Sequence, residues 1–435
     1  MISSRAGILC AAALVAAAPA SAQLASTPRA LGMGGAYVAV ARGQEALFYN
    51  PANLALPGNP HATLAAPQIT VAGTLNGLEF GDLGDLASYD ELEDSQRADI
   101  LGRIPDGGTS IEGDLRIPIF SMSVRRAMFG ISYNAVGSHG VARDVVDLVL
   151  NGVSEQRLLG VNAYDDDAIL TQSQGRRAAY VDLAAGYAHR VGPVSLGATA
   201  HYLIGRGLVR AGIVDIDTVF AAPNSDVRVT YAGLKRDGGS GFGLDLGAAL
   251  QPIPSLTLSA AVTNVVNTLE WTEEPRIHSV TLDRNDYVDS DPDLIRDEYS
   301  ASARSLSRAD SALVSRAGLL TELDEGAELV PTLRLGAAWQ PRAGTTVAAS
   351  YQGELSESRI NGLWDRTLGV GVQQKIPVVT LRAGIASDLD SGSMLSGGLS
   401  LGPLHLGAAR LSGGSDRNGW LVTFGLGGQT RTTMN

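Results

Sequence analysis

The chain has 435 residues, of which 45% are hydrophobic, 5% aromatic and 18% charged. Its net charge is −12, and no cluster of five basic residues occurs, so we expect no nucleic-acid partner. After the first 22 residues no apolar run is long enough to form a membrane-spanning helix. A mean hydropathy of +0.08 is high for a secreted soluble protein and low for a helical membrane protein. A transmembrane β-barrel, apolar outside and polar inside, lies between these classes.

Residues 1–22 predict a secretory signal peptide with cleavage near Ala22. Arg5 precedes the apolar run Ala6 to Ala18, and Ala20-Ser21-Ala22 matches a small-residue cleavage site. The run is shorter than the roughly 20 residues needed to span a bilayer. Cys10 lies inside this peptide and is the only cysteine. The mature chain therefore contains none.

Residues 31–56 read LGMGGAYVAVARGQEALFYNPANLAL and follow no strict helical or strand period. Gly32, Gly34 and Gly35 would let the backbone pack closely against a neighbouring wall. Pro51 fixes a turn, and Asn50 could cap the backbone groups that this turn exposes.

From residue 61 onwards, short segments alternate between apolar and polar residues, which is typical of β-strands with one apolar face. Residues 379–385 are one example, with Thr380, Arg382 and Gly384 on the polar face. The pattern predicts fourteen strands, at about 61–73, 115–123, 127–137, 178–189, 194–206, 239–251, 255–269, 332–341, 345–355, 365–375, 378–387, 394–402, 404–411 and 419–429.

The connections between these strands alternate between tight turns and longer links, the longest at 74–114, 138–177, 207–238 and 270–331. This alternation is typical of outer-membrane barrels, with the short turns in the periplasm. Residues 226–231 also read as a strand but are assigned to a hairpin within a loop, so counts of 12 or 16 stay open. A soluble all-β domain is the alternative fold.

Two further patterns bear on this all-β, transmembrane antiparallel barrel. Trp271, Trp339, Trp364 and Trp420 all fall at predicted strand ends, where aromatic girdles lie. Helical spacing in 82–104 and 143–150 predicts partly helical extracellular loops, which would either cover the barrel mouth or serve only in loop packing.

The stretch 28–56, directly after a signal peptide, resembles the N-terminal signature of the FadL-like superfamily of outer-membrane barrels, which includes hydrophobic-compound transporters and PorV-type barrels. Residues 100–115 show a weaker likeness, and uncharacterised members are the most similar. The resemblance implies that residues 23–60 form a hatch inside the lumen of a barrel made by residues 61–435, with Asn50, Pro51 and Ala52 as the hatch motif.

The same resemblance implies passive diffusion of small hydrophobic compounds, fatty-acid-like or hydrocarbon, with lateral exit through a wall opening. The alternative is a PorV-like barrel that docks a secretion system or holds proteins at the surface. A transporter predicts a continuous apolar cavity beside Asn50 to Ala52 and an inward kink or gap in one early strand. An adaptor predicts a lumen filled by hatch side chains and an exposed apolar patch on the loops. The low aromatic content and the end at Asn435 depart from the transporters.

No motif predicts an enzyme, a catalytic residue or a cofactor. The six histidines lack metal-ligand spacing. Asp289, Asp291 and Asp293 occupy positions 1, 3 and 5 of a calcium loop, but Leu294 and Ser300 stand where Gly and Glu are required, so only weak divalent binding is considered. Arg334 and Arg382 lie on polar strand faces and should point into the lumen. There they would either contact the hatch or acidic loop residues, or only add to the general polarity of the lumen.

The expected location is the outer membrane of a diderm bacterium, where the chain would be a monomer. The expected partners are the bilayer and its lipopolysaccharide, the barrel assembly machinery, hydrophobic small molecules and, in the alternative, a secretion system.

Overall fold

Seventeen β-strands make up most of the described part of the chain in the computed structural model. The described residues are 27–78, 92–151, 166–221, 224–273, 276–285, 295–302, 318–319, 329–356, 366–389, 392–413 and 417–429. The strands are β1 Ala62–Asn76, β2 Thr109–Val124, β3 Ala127–Val141, β4 Gln174–Val191, β5 Val194–Ala221, β6 Asn224–Arg236, β7 Ser240–Ile253, β8 Leu256–Asn267, β9 Arg276–Asn285, β10 Ile295–Ser302, β11 Thr332–Arg342, β12 Thr345–Glu354, β13 Arg366–Lys375, β14 Val379–Asp388, β15 Gly392–Leu401, β16 Leu404–Gly413 and β17 Arg417–Gln429.

Fourteen of these strands close into an antiparallel ring. β1 to β5 are followed in the ring by β7, β8 and β11 to β17, and β17 returns to pair with β1. Closure leaves no free sheet edge in the ring. The expected fourteen-stranded barrel is therefore confirmed.

Three strands lie outside the ring and extend it at the end opposite the short turns. Residues 194–204 of β5 pair with β7, whereas residues 208–221 pair with β6, which pairs with β9, and β9 pairs with β10. β6 contains residues 226–231, which were assigned to a hairpin. The expected end of β5 at residue 206 was wrong, because the backbone groups of residues 208–221 are satisfied by β6.

Short helices lie among the long connections, at Asp94–Arg103, Arg143–Asn151 and Asp166–Gln172. The first two fall where helical spacing was noted, and the third was not expected. Ile100, Val146 and Leu150 pack in one apolar cluster with Leu75 and Ile111 at the end of the barrel. Among the described residues, no helix has both the length and the apolar character needed to cross a bilayer.

The outer surface of the ring is apolar. In β17, Trp420, Val422 and Phe424 are exposed, whereas Leu421 and Thr423 between them are buried. Exposed apolar side chains of this kind occur along most strands of the ring. An apolar exterior around a closed ring is typical of a transmembrane barrel.

The tryptophans do not all lie on that outer surface. Trp339 and Trp420 are 52% and 54% exposed, but Trp271 is only 8% exposed. Trp271 packs with Leu208 and Leu234, and its ring lies close to Gly205, where no side chain takes up the space. The expectation that Trp271 belongs to an aromatic girdle was wrong; Trp364 lies outside the described residues.

Candidate functional site

Residues 27–60, which we call the N-terminal segment, are mostly buried and contact strands all around the ring. The turn at residues 51–55 contacts β4, β5, β7 and β8, residues 43–45 contact β1, β2 and β3, and residues 28–31 contact β15, β16 and β17. A segment that touches opposite sides of a closed ring lies inside it.

The segment is built from short turns of helix. Thr27 caps the helix Pro28–Leu31, and Pro28 begins it. Gly34 and Gly35 have φ values of 63° and 74°, a region that other residues adopt at a cost. Two consecutive residues in this conformation turn the chain back sharply.

Asn50 links the N-terminal segment to the wall. Its Oδ1 accepts a hydrogen bond of 2.9 Å from the Ala52 backbone N–H, which caps the 3₁₀ helix Pro51–Ala55. Its Nδ2 donates to the carbonyl oxygens of Ala248 at 3.0 Å and Ala260 at 3.1 Å, on the neighbouring strands β7 and β8. One side chain thus shapes the turn and holds it against two strands.

Several glycines of the wall lie directly against the N-terminal segment, and we call them the glycine belt. A Cβ atom on any of them would meet atoms of residues 28–52. They are Gly130, Gly197, Gly247, Gly336, Gly369, Gly371, Gly384, Gly398, Gly407 and Gly425. At Gly384, for example, the neighbours are backbone atoms of Met33 and Gly34, and at Gly398 the neighbour is the Cα of Gly32. Backbone therefore packs directly on backbone, as only glycine allows.

A buried charge cluster stabilises the segment from within. Tyr37 donates to Glu45 Oε2 at 2.7 Å, and Arg29 Nη1 lies 3.2 Å from the same oxygen. Arg29 Nη2 lies 2.8 Å from Nε2 of His405 on β16. Burial, together with the Glu45 carboxylate, raises the pKa of Tyr37 far above its ordinary value, so its hydroxyl stays a donor.

Arg334 and Arg382 both lie buried on the inner face of the ring. Arg334 donates to the backbone carbonyl of Phe48 in the N-terminal segment. Arg382 donates instead to wall residues, to Gln373 at 2.8 Å and to Ser400 at 2.6 Å. Asp289, Asp291 and Asp293 lie outside the described residues, and the described part of the chain contains no group of acidic or histidine side chains that could hold a metal ion.

Charged residues line the lumen next to Asn50 to Ala52. His201 Nδ1 lies 3.0 Å from Asp182 Oδ1, and His201 Nε2 lies 3.2 Å from Asp245 Oδ2. Asp245 is two residues from Gly247, which touches Asn50. The lumen is polar at this level, which differs from the apolar cavity expected there for a transporter.

A break interrupts the ladder pairing between β1 and β2. Pairing runs from Ala62↔Val124 to Ala65↔Ser121 and resumes at Thr70↔Arg116. Each strand carries a register shift at this level against its other neighbour, between Ala65 and Gln68 in β1 and between Pro118 and Phe120 in β2. The unpaired stretches 66–69 and 117–120 contain Pro67 and Pro118, neither of which has an N–H to donate.

The break lies beside the N-terminal segment. Gln44 N–H donates to Thr63 Oγ1 at 2.7 Å, just on the short-turn side of the break. Gln68 Oε1 and Ser121 Oγ are buried at its edges with no hydrogen-bond partner among the described residues. For a transporter the sequence analysis expected a kink or gap in one early strand but did not place it, although a proline inside a predicted ring strand is a signal for a bulge.

The chain is similar to solved barrel structures over nearly its whole length. It matches the Ralstonia pickettii toluene transporter TbuX at 15% identity and a TM-score of 0.51, covering 93% of this chain and 98% of that one. It matches the CymD monoaromatic hydrocarbon channel at 11% identity and a TM-score of 0.51, covering 94% and 98%. The expected FadL-like barrel fold is thereby confirmed. The model of a family of unknown function, DUF5723, matches residues 51–408. No curated protein matches the chain.

Proposed function

We propose that this chain, which belongs to the family of unknown function DUF5723, is an outer-membrane channel that passes small hydrophobic compounds by passive diffusion. The break between β1 and β2 carries this proposal, because the ladder pairing that closes the wall is missing there, beside the N-terminal segment. The fold shared with a toluene transporter and a hydrocarbon channel supports it.

In this proposal the apolar outer surface contacts the lipid bilayer, the short turns face the periplasm and the long connections face outward with lipopolysaccharide. A compound enters at the long-connection end. The N-terminal segment is the hatch that stops direct descent, since it crosses the lumen and packs closely against the glycine belt. The compound leaves sideways through the break into the bilayer.

The chemistry of the break fits this path. Regular pairing would satisfy each N–H and C=O between β1 and β2, and separating such strands in lipid costs several kcal/mol per unsatisfied group, by order of magnitude. Two prolines at the break remove two of the N–H donors. The wall there can therefore stay open at lower cost than elsewhere. No covalent step is involved, so no catalytic residue is assigned.

The test is to cross-link β1 to β2 at the break with a disulfide. The mature chain has no cysteine, so Ile69→Cys combined with Ile117→Cys places the only two thiols across the unpaired stretch. Vesicles carrying the barrel should take up a fluorescent hydrocarbon faster than empty vesicles. Oxidation of the double variant should stop that uptake, and a reductant should restore it.

Val71→Cys combined with Leu115→Cys is the matched control, because these residues are paired in the regular ladder next to the break. Its oxidation should leave uptake unchanged. Uptake that continues through the oxidised Ile69 and Ile117 variant, with the disulfide verified by mass, would rule out the lateral path.

A docking barrel is the second candidate, and the filled, polar lumen favours it. The glycine belt packs the N-terminal segment tightly, and Asp182, His201 and Asp245 put charge beside it. The absence of hydrocarbon uptake by correctly folded barrel, under every condition tested, would support this candidate. A photo-crosslinker at exposed positions of the helix Asp94–Arg103 should then capture one defined protein on intact cells.

A further inference from the structure

A pocket opens at the short-turn rim, on the side of the N-terminal segment that faces away from the long connections. Its volume is about 560 Å³, within the range of small-molecule sites. Residues of the segment, of the β7–β8 turn and of the ends of β11 and β12 line it. This pocket is separate from the break between β1 and β2.

Arg42 provides the positive charge of the pocket. Its Nη1 donates to the carbonyl oxygens of Ala39 and Ala41, each at 2.9 Å, and its Nη2 donates to Thr257 Oγ1 at 3.4 Å. All three acceptors are neutral, and no carboxylate of the described residues forms an ion pair with Arg42. A guanidinium has five N–H donors, so these bonds leave part of its capacity unused.

A half-buried cation without a counter-ion is costly, because burial removes water that would stabilise its charge. The guanidinium is also suited to bind the two oxygens of a carboxylate or phosphate. Arg42 therefore favours an anionic group in the pocket.

The rest of the lining is largely apolar. Val40 and Pro57 come from the segment, and Ile253 and Ala338 come from the wall. Gln340 and Thr346 add polar groups on the other side. The pocket thus offers one charged end and an apolar body, and a ligand that matches it has the same two parts.

We propose that this rim pocket binds an anionic amphiphile, with its head group on Arg42 and its hydrocarbon part against Val40, Pro57 and Ile253. The site faces the periplasm and goes beyond the lateral path for neutral compounds. It would let the barrel bind an amphiphile from the periplasmic side, whether or not hydrocarbons cross the wall.

The test measures binding of a dansyl-labelled undecanoate to the full chain in nanodiscs of zwitterionic lipid. Saturable binding above empty nanodiscs is expected, and Arg42→Gln should weaken it about tenfold or more, the loss expected for a charge-assisted hydrogen bond. Dodecanoate should displace the probe and dodecanol should not. Displacement by dodecyl phosphate but not dodecanoate would assign the head group to a phosphate and keep the anionic site.

Arg126→Gln is the matched control, since Arg126 is an exposed arginine of the same rim outside the pocket lining. Gln340→Glu is the second variant; it keeps Arg42 and adds a carboxylate at an exposed lining position, so it should also weaken binding. Equal binding in wild type, Arg42→Gln and Gln340→Glu, or equal displacement by dodecanol, would overturn the site.

Uptake of a neutral hydrocarbon separates this site from the proposed channel. Arg42→Gln should lose probe binding and keep hydrocarbon uptake. Probe binding by a barrel that shows no hydrocarbon uptake would reject the channel and leave the rim pocket in place.

Discussion

The side-chain oxygen of Asn50 occupies the position that a Cβ atom on Gly247 would need. Asn50 belongs to the N-terminal segment, and Gly247 belongs to strand β7 of the wall. Their contact places the Asn50 amide between the carbonyl oxygens of Ala248 and Ala260. The N-terminal segment and the wall are therefore complementary in shape and in hydrogen bonding at Asn50.

Gly247→Ala should destabilise the barrel by about 1–3 kcal/mol, because the added methyl group displaces Asn50 and overpacks the interface. The measurement is the temperature at which the protein changes from the gel mobility of a compact folded barrel to that of the unfolded chain. Gly428→Ala is the control, since a Cβ at Gly428 would have no neighbour within 4 Å. Equal transition temperatures for both variants would contradict the packing described here.

Asn50→Asp should be more destabilising than Asn50→Ala. Aspartate keeps the acceptor for Ala52 N–H but places a charged oxygen against the carbonyls of Ala248 and Ala260, where the native amide donates. Leaving buried groups unpaired costs about 1–3 kcal/mol, and more where one is charged. The same gel transition measures it, and an aspartate variant as stable as wild type would show that the two donated bonds are absent.

Arg29 and Glu45 should show strong coupling in a double-mutant cycle. Removing one partner of a buried ion pair leaves the other charge uncompensated and costs about 3–5 kcal/mol. Arg29→Met and Glu45→Gln should each destabilise the protein, and the double variant should lose clearly less than their sum. Unfolding in denaturant, monitored by tryptophan fluorescence, gives the three values. Additive losses would mean that the pair contributes no coupling energy.

Alkaline pH should destabilise the N-terminal segment through Tyr49. Burial raises the pKa of Tyr49 to about 12 from an ordinary value near 10. Between pH 10 and pH 12 the unfolded chain releases the proton of Tyr49 and the folded chain keeps it. In this window Tyr49 lowers the free energy of unfolding by about 1.4 kcal/mol per pH unit, and below pH 10 it has no effect. Tyr49→Phe should reduce the loss in transition temperature between pH 9 and pH 11. Tyr187→Phe, which changes an exposed tyrosine, is the control; an identical loss in both variants would reject the assignment.

Much of the ring could be predicted from the alternation of single side chains. In β14, for example, Leu381 and Ile385 face outward and Arg382 faces inward, as the period of two requires. The ends of the strands near the long connections were harder to predict, because an alternating strand continues beyond the ring wherever another strand can pair with it, as β6 does with β5. Trp271 shows the same limit: its position at a strand end did not reveal the glycine that lets it turn inward.

The sequence alone determined the series of strands with one apolar face, the glycine-rich segment before them and the polar faces that must point inward, because these follow from local periodicity and backbone freedom. Tertiary structure decided which residues meet. Pro67 and Pro118 lie on neighbouring strands at the β1–β2 break, and His201 lies between two aspartates, only because ring closure and strand register bring together residues far apart in the chain. The same holds for Arg42, which has no carboxylate partner within the described ranges, since the compensation of a charge depends on its neighbours in space.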